Sequence, residues 1–138
     1  FLLIFIGGGI GSFLRFLISK SLNSYFPNFY LGTFLVNIVG CFIIGILIGL
    51  TVKNNYLSEN QVLLLATGFC GGFTTFSTFA LESHILLKEH SIFYMSAYLG
   101  LSVMLGIFAI AAGLWLCKLL WLQHCNLYFL KLHTFSSF

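Results

Sequence analysis

Charge is what this chain lacks most. Of 138 residues only six are Lys or Arg and three are Asp or Glu, so charged side chains make up 7%, where a soluble domain carries about 25%. Nine charges cannot coat a soluble fold of this size, which excludes a water-surrounded globular domain, whereas a surface facing lipid needs none. Proline occurs once, at Pro27. The four cysteines (Cys41, Cys70, Cys117, Cys125) contain no C-x-x-C pair, and the four histidines (His84, His90, His124, His133) no H-x-x-x-H. Core thiols are therefore a better reading than zinc ligands. The glycines at 7–11 lack the G-x-G-x-x-G order and no G-K-[ST] occurs, so nucleotide binding has no support. Glu82 is the one acid near an apolar centre. With no nucleophile or base to pair with it, membrane catalysis lacks a proton-transfer pair and the chain reads as no enzyme. Glu82 is expected to cap a polar interaction at the end of the third helix.

Apolar residues fill the space that charge leaves. The chain is 59% hydrophobic with a mean hydropathy of +1.04. Runs near the roughly 20 residues that cross a bilayer fall at 1–18, 32–52, 61–87 and 93–117. This predicts an all-α integral membrane bundle of four transmembrane helices over residues 1–118. The connections are short: 19–31 with Pro27 among Asn and Ser, a polar turn at 53–60, and a tight one at 88–92. The first run starts in apolar sequence without a methionine, so that either the true start is missing or the segment is clipped. It is too long, too glycine-rich and too poor in basic residues at its start to read as a cleaved signal peptide. Residues 119–138 scatter Gln123, His124, Asn126, Lys131 and His133 among apolar side chains and span poorly. An interfacial helix or a disordered tail is expected there, with Trp115, Trp121 and Tyr128 suited to the headgroup level.

The basic residues barely orient the bundle. Alternating helices put Arg15, Lys20 and Lys88 on one side and Lys53, Lys118 and Lys131 on the other, three against three. Lys/Arg asymmetry sets membrane orientation. The chain either inserts both ways round, which permits an antiparallel dimer, or is oriented by some other feature. Four such helices fill their own centre with side chains, so an aqueous path calls for oligomerisation. Gly7/Gly11 and Gly45/Gly49 have the G-x-x-x-G spacing of close helix contacts, read as packing within the chain in preference to a dimer seam.

Within the third run, residues 68–79 read Gly-Phe-Cys-Gly-Gly-Phe-Thr-Thr-Phe-Ser-Thr-Phe. Gly71-Gly72 followed by Thr74-Thr75 is poor helix, so a break is expected there. Non-helical backbone at membrane depth survives only where protein buries it or a cavity or ion satisfies it. A bound cation and a permeating anion both suit such a site. Phe76 and Phe79, three apart, share a face. Phenylalanine at that spacing is usually packing, but the hydroxyls of Thr75, Ser77 and Thr78 are interleaved with it. Ring edges are electropositive, and hydroxyl donors beside them could line a path for a small, strongly hydrated anion. Asn37, one turn after Thr33, is a carboxamide in hydrocarbon that must be bonded or face water. Tyr98 and Ser102, four apart, either extend a polar track or bond carbonyls a turn back.

These motifs resemble the Fluc (CrcB) fluoride channels of bacterial membranes. The likeness covers about residues 7–113 and rests on Gly9-x-Gly11-x-x-x-Arg15-Phe16, Gly32-Thr33-x-x-x-Asn37 and the run from Gly68 to Phe79. It implies an antiparallel, dual-topology homodimer in the bacterial plasma membrane, with two fluoride pores and a structural Na+ on the twofold axis. By motif position the backbone carbonyls of Gly71 and Thr74 from both subunits hold the Na+. Phe76 and Phe79 line the path, Asn37 is a pore donor, and the hydroxyls of Ser77, Thr78, Tyr98 and Ser102 follow along it, beside Thr75. Arg15 lies in a vestibule that draws anions in. The implied partners are fluoride, a second copy and lipid, with no nucleic acid. The implied function is passive export: fluoride enters as neutral HF, dissociates inside, and leaves down a potential worth about 2.3 kcal/mol per 100 mV for one charge. Two other classes stay open. One is a structural or assembly subunit in which the polar track only seals helix contacts. The other is a proton-coupled small-anion transporter, for which only Glu82 and the histidines could supply the titrating group.

Overall fold

The computed structural model describes residues 1–25, 29–54, 56–89 and 91–135, with the backbone alone at 53, 54 and 123–135. Pro27, His90 and the last three residues of the expected tail lie outside the described residues. Among the described residues every regular element is a helix: α1 (Leu2–Asn23), α2 (Leu31–Asn54), α3 (Glu59–Val62), a π-helical segment (Leu63–Cys70), α4 (Gly71–Phe73), α5 (Phe76–Glu89) and α6 (Ile92–Phe135). Four stretches are long and apolar enough to cross a membrane: Leu2–Asn23, Leu31–Val52, Glu59–Glu89 and Ile92–Leu122. The four-helix reading stands: three crossings run a few residues past their apolar runs, and Leu31–Val52 matches its run to within one residue.

The third crossing opens on a capping box, in which Ser58 and Gln61 satisfy each other's backbone amides. It then passes into eight residues of π-helix. Such geometry is rare and mostly confined to single turns near functional sites. α1 packs along this segment and α4, while α2 packs along α6. Glycine makes the first of these contacts possible. A Cβ on Gly7 would overlap the Leu64 carbonyl oxygen, one on Gly11 that of Phe69, and one on Gly72 that of Gly8. Backbone therefore lies directly on backbone. Against α6, Gly45 also meets backbone, a Cβ there sitting 2.5 Å from the Ile110 oxygen, while Gly49 makes room for a side chain, its Cβ falling 2.7 Å from Cys117 Cβ. Both G-x-x-x-G pairs pack within the chain.

The break lies later than the glycines suggest. Gly71 and Gly72 stay helical in α4, and the chain turns extended at Thr74 (φ −78°, ψ 155°) before α5 restarts at Phe76. At Gly72 the reason is the α1 contact, which needs glycine for closeness and not for flexibility, whereas a Cβ on Gly71 would meet nothing within 4 Å. At the far end α6 continues as helix to Phe135, 44 residues in all. At 1.5 Å per residue it is about 66 Å long, roughly twice a hydrocarbon core, and its backbone shows no interruption at residue 118.

A core of Phe79, Leu86 and Tyr98 closes one end of the bundle, with Phe29, Tyr30, Phe34, Met95 and Leu99 packed around it. The outer faces of α1 and α6 expose Phe5, Phe13, Phe16, Ile107, Phe108 and Trp115, as lipid-facing helices do.

Candidate functional site

Asn37 holds the break together. Its Oδ1 accepts the Thr75 N–H at 2.8 Å and its Nδ2 donates to the Thr75 carbonyl at 3.2 Å, so one carboxamide satisfies both backbone groups of a residue that has left the helix. Thr75 in turn caps α5. Its hydroxyl oxygen accepts the Thr78 N–H at 3.3 Å, donates to Thr78 Oγ1 at 3.1 Å and lies 3.3 Å from Ser77 Oγ. Thr74 turns back onto the last residue of the π-helical segment, its N–H and its hydroxyl both donating to the Cys70 carbonyl at 3.0 and 2.9 Å. These bonds spend the amides of Thr75 and Thr78, which an unbroken helix would give to the carbonyls of Gly71 and Thr74. Gly72 has its own substitute, the Ser12 hydroxyl at 3.3 Å.

Two cavities flank the break and meet at Thr75. An open groove of about 490 Å³ is lined by Asn37, Gly71, Thr74, Thr75, Phe76, Phe79 and Ser102 together with Cys41, Cys70 and aliphatic side chains of α2 and α6. A smaller one of about 270 Å³ is lined by Ser12, Arg15, Phe16, Ser19, Thr75 and Thr78. Phe76 is 80% exposed and Phe79 only 8%, with ring centroids 6.1 Å apart and tilted 50°. The rings thus lead from the open face inward. The sequence-predicted residues divide accordingly. Asn37, Thr75, Phe76, Phe79 and Ser102 come together on the groove with Gly71 and Thr74, while Arg15 and Thr78 share the other cavity with Thr75. Ser77 is exposed and lines neither. Tyr98 is fully buried behind Phe79, ring centroids 5.2 Å apart.

Tyr98 reaches something the sequence reading placed differently. Glu82 does not cap the end of the third helix: it sits mid-way along α5, 5% exposed, and collects three donors. Thr33 Oγ1 and Asn23 Nδ2 donate to its Oε1 at 2.7 and 3.3 Å, and the Tyr98 hydroxyl donates to Oε2 at 2.8 Å. Asn23 also accepts the Gly32 N–H at 2.7 Å, tying the start of α2 to the end of α1. A buried carboxyl is tolerable only with such partners. Thr33 and Glu82 are 49 positions apart, so spacing alone does not reveal the cluster. The available signal is a lone acid in an apolar helix, which must find donors somewhere.

A four-crossing membrane helical bundle whose third crossing breaks between a carboxamide clasp and a phenylalanine pair defines a class, and comparison with known proteins places the chain in it. The model of the CrcB family (CrcB-like protein, camphor resistance) matches residues 2–114, and the chain belongs to that family. It is 46% identical over 112 residues to a fluoride-specific ion channel FluC of Azobacteroides pseudotrichonymphae, covering 80% of this chain and 90% of that one. A protein of the same description from Gloeothece citriformis is 47% identical over 118 residues, 85% of this chain and 95% of the other. One from Prosthecochloris aestuarii is 43% identical over 117 residues. The chain is a multi-pass protein of the bacterial plasma membrane.

Proposed function

We propose that the protein is a passive, fluoride-selective channel that lets fluoride leave the cytoplasm. The observation that carries this reading is the string of donors and ring edges on either side of Thr75: Arg15 and Thr78 in one cavity, Asn37, Phe76, Phe79 and Ser102 in the other. Fluoride holds its water tightly and needs such replacements, while nothing along the string demands a chemical step. FluC relatives at 43–47% identity support the choice of ion. Proteoliposomes loaded with potassium fluoride, diluted into low potassium and given valinomycin, should release fluoride to a selective electrode within the first measurement. Protein-containing vesicles that release no more than empty ones would return the polar track to a structural role. Release that requires an imposed proton gradient would favour a transporter, with Glu82 as the titrating group.

The working unit on this reading is an antiparallel homodimer, each copy closing the other's open groove. Three points support it: the even split of basic residues, the exposure of Phe76, and the groove's open side. Gly71 and Thr74 line that groove, and the amides that would bond their carbonyls in an unbroken helix are committed elsewhere. Two from each copy make four oxygens, a donor set that suits a hard monovalent cation such as a structural Na+. Bound there, the ion would supply positive charge that ties the two breaks together. In a cysteine-free background, Asn60→Cys should react with an impermeant maleimide from both faces of the membrane, and exchange of Na+ for N-methylglucamine should loosen the dimer on gel filtration. One-sided labelling sinks the inverted arrangement. A dimer indifferent to Na+ sinks the ion.

A further inference from the structure

The hydroxyl of Ser19 has no function in the fold. Its oxygen is buried and makes no hydrogen bond, one of two such atoms among the described residues. The other, Ser102 Oγ, belongs to a residue on the groove. A helical serine has a ready partner in the carbonyl a turn back, and Ser19 does not use it. Nor can the serine move away easily. Its Cα lies against Gly32, where an added Cβ would come within 2.6 Å, so the start of α2 holds this turn of α1 in place.

The cavity around Ser19 is chemically one-sided. Ser12, Arg15 and Ser19 follow one another at i, i+3 and i+7 along one face of α1, and Thr75 and Thr78 close the opposite wall. Among the described residues no carboxylate pairs with Arg15. Donor direction can be traced. Thr75 gives its proton to Thr78 Oγ1, which leaves the Thr78 proton free to point elsewhere, and Ser12 gives its own to Gly72. The groups left over are one guanidinium, the Thr78 O–H and the Ser19 O–H, all donors and none a charged acceptor. A buried donor without an acceptor is costly to leave bare and calls for an occupant.

We infer that Ser19 is a specificity-determining residue whose hydroxyl donates to a small anion held beside Arg15, replacing part of its water before it passes Thr75. This deepens the channel reading above and rests on it. The role belongs to a neutral donor at short range, distinct from the long-range attraction that Arg15 supplies. It acts on how readily an anion is held at low concentration, and less on how fast a saturated path conducts.

The test is initial fluoride efflux from proteoliposomes over internal fluoride concentrations below and above half-saturation, for wild type, Ser19→Ala, Arg15→Gln and the double variant. Ser19→Ala should raise the half-saturating concentration about tenfold, the size expected for one hydrogen bond to a charged group, with maximal flux and the gel-filtration profile kept. The double variant should lose less than the product of the single losses, because both groups act on one ion in one cavity. An unchanged half-saturation in Ser19→Ala, as when water alone satisfies the hydroxyl, overturns the inference while wild-type flux leaves the channel reading intact. Absence of wild-type flux overturns both. Should Ser19→Ala fail to assemble, Ser19→Cys, which keeps the volume and weakens the donor, is judged by the same criterion.

Discussion

Asn37→Leu should cut fluoride efflux at least about thirtyfold and lower the melting temperature with it. The substitution keeps the volume of the side chain and removes both of its bonds to Thr75. A buried N–H and C=O left bare cost about 1–3 kcal/mol each. The extended turn at Thr74–Thr75 then loses what made it preferable to continued helix. Even 2 kcal/mol against the broken state corresponds to about thirtyfold in rate, and the break also orders Thr78 through the Thr75 cap, so thirtyfold is a lower bound. Efflux by fluoride electrode and a thermal melt of the same preparation decide it. Efflux within threefold of wild type would mean the break holds its shape without the clasp. Asn37→Asp is the informative companion: it keeps an acceptor for the Thr75 N–H while setting a negative charge on an anion's route, so it should stabilise better than Leu and conduct as poorly.

The ring pair should show a second large effect. Replacing Phe76 or Phe79 with Ile preserves apolar bulk and deletes an electropositive edge. If each edge lowers the highest barrier by about 1.4 kcal/mol, each substitution slows efflux about tenfold and the double variant about a hundredfold. The two positions differ in what else they do. Phe76 is mostly exposed in a single copy and so carries little of the fold, whereas Phe79 belongs to the core with Leu86 and Tyr98. Phe76→Ile should therefore leave stability near wild type while Phe79→Ile costs some of it. Wild-type efflux from the double variant would make both rings packing residues.

Hydropathy made the four crossings legible before any coordinates, because lipid leaves an unambiguous mark on composition. The break was legible too, as glycine and threonine crowded into an apolar run, but its position was not. Glycine has the same letter whether it bends a chain or lets another helix touch it, and only the contact with α1 tells which applies at Gly72. The π-helical segment gave no warning, since Leu63-Leu64-Leu65-Ala66 is ordinary helix sequence. Read from sequence alone, Tyr98 extends a polar track or bonds a carbonyl a turn back, and Glu82, to which its hydroxyl in fact donates, stands apart from it. Their meeting, with Thr33 and Asn23 around the same carboxyl, depends on tertiary packing across four crossings. Ser19 was invisible, for a serine in an apolar helix is unremarkable until its hydroxyl proves to have no partner.

The backbone-on-backbone seam between α1 and the third crossing makes the two halves of the break mechanically unequal. Where glycines face each other there are no side chains to rotate, so a displacement of α1 passes undiminished into α4 and the carbonyls that follow it. α5 rests instead on Phe79, Leu86 and their aromatic neighbours, a cushion whose rotamers can absorb a shift. Tolerance of substitution is accordingly uneven: α5 and its surroundings can be retuned one methyl group at a time, while the glycine seam beside the first half of the break admits almost no intermediate steps.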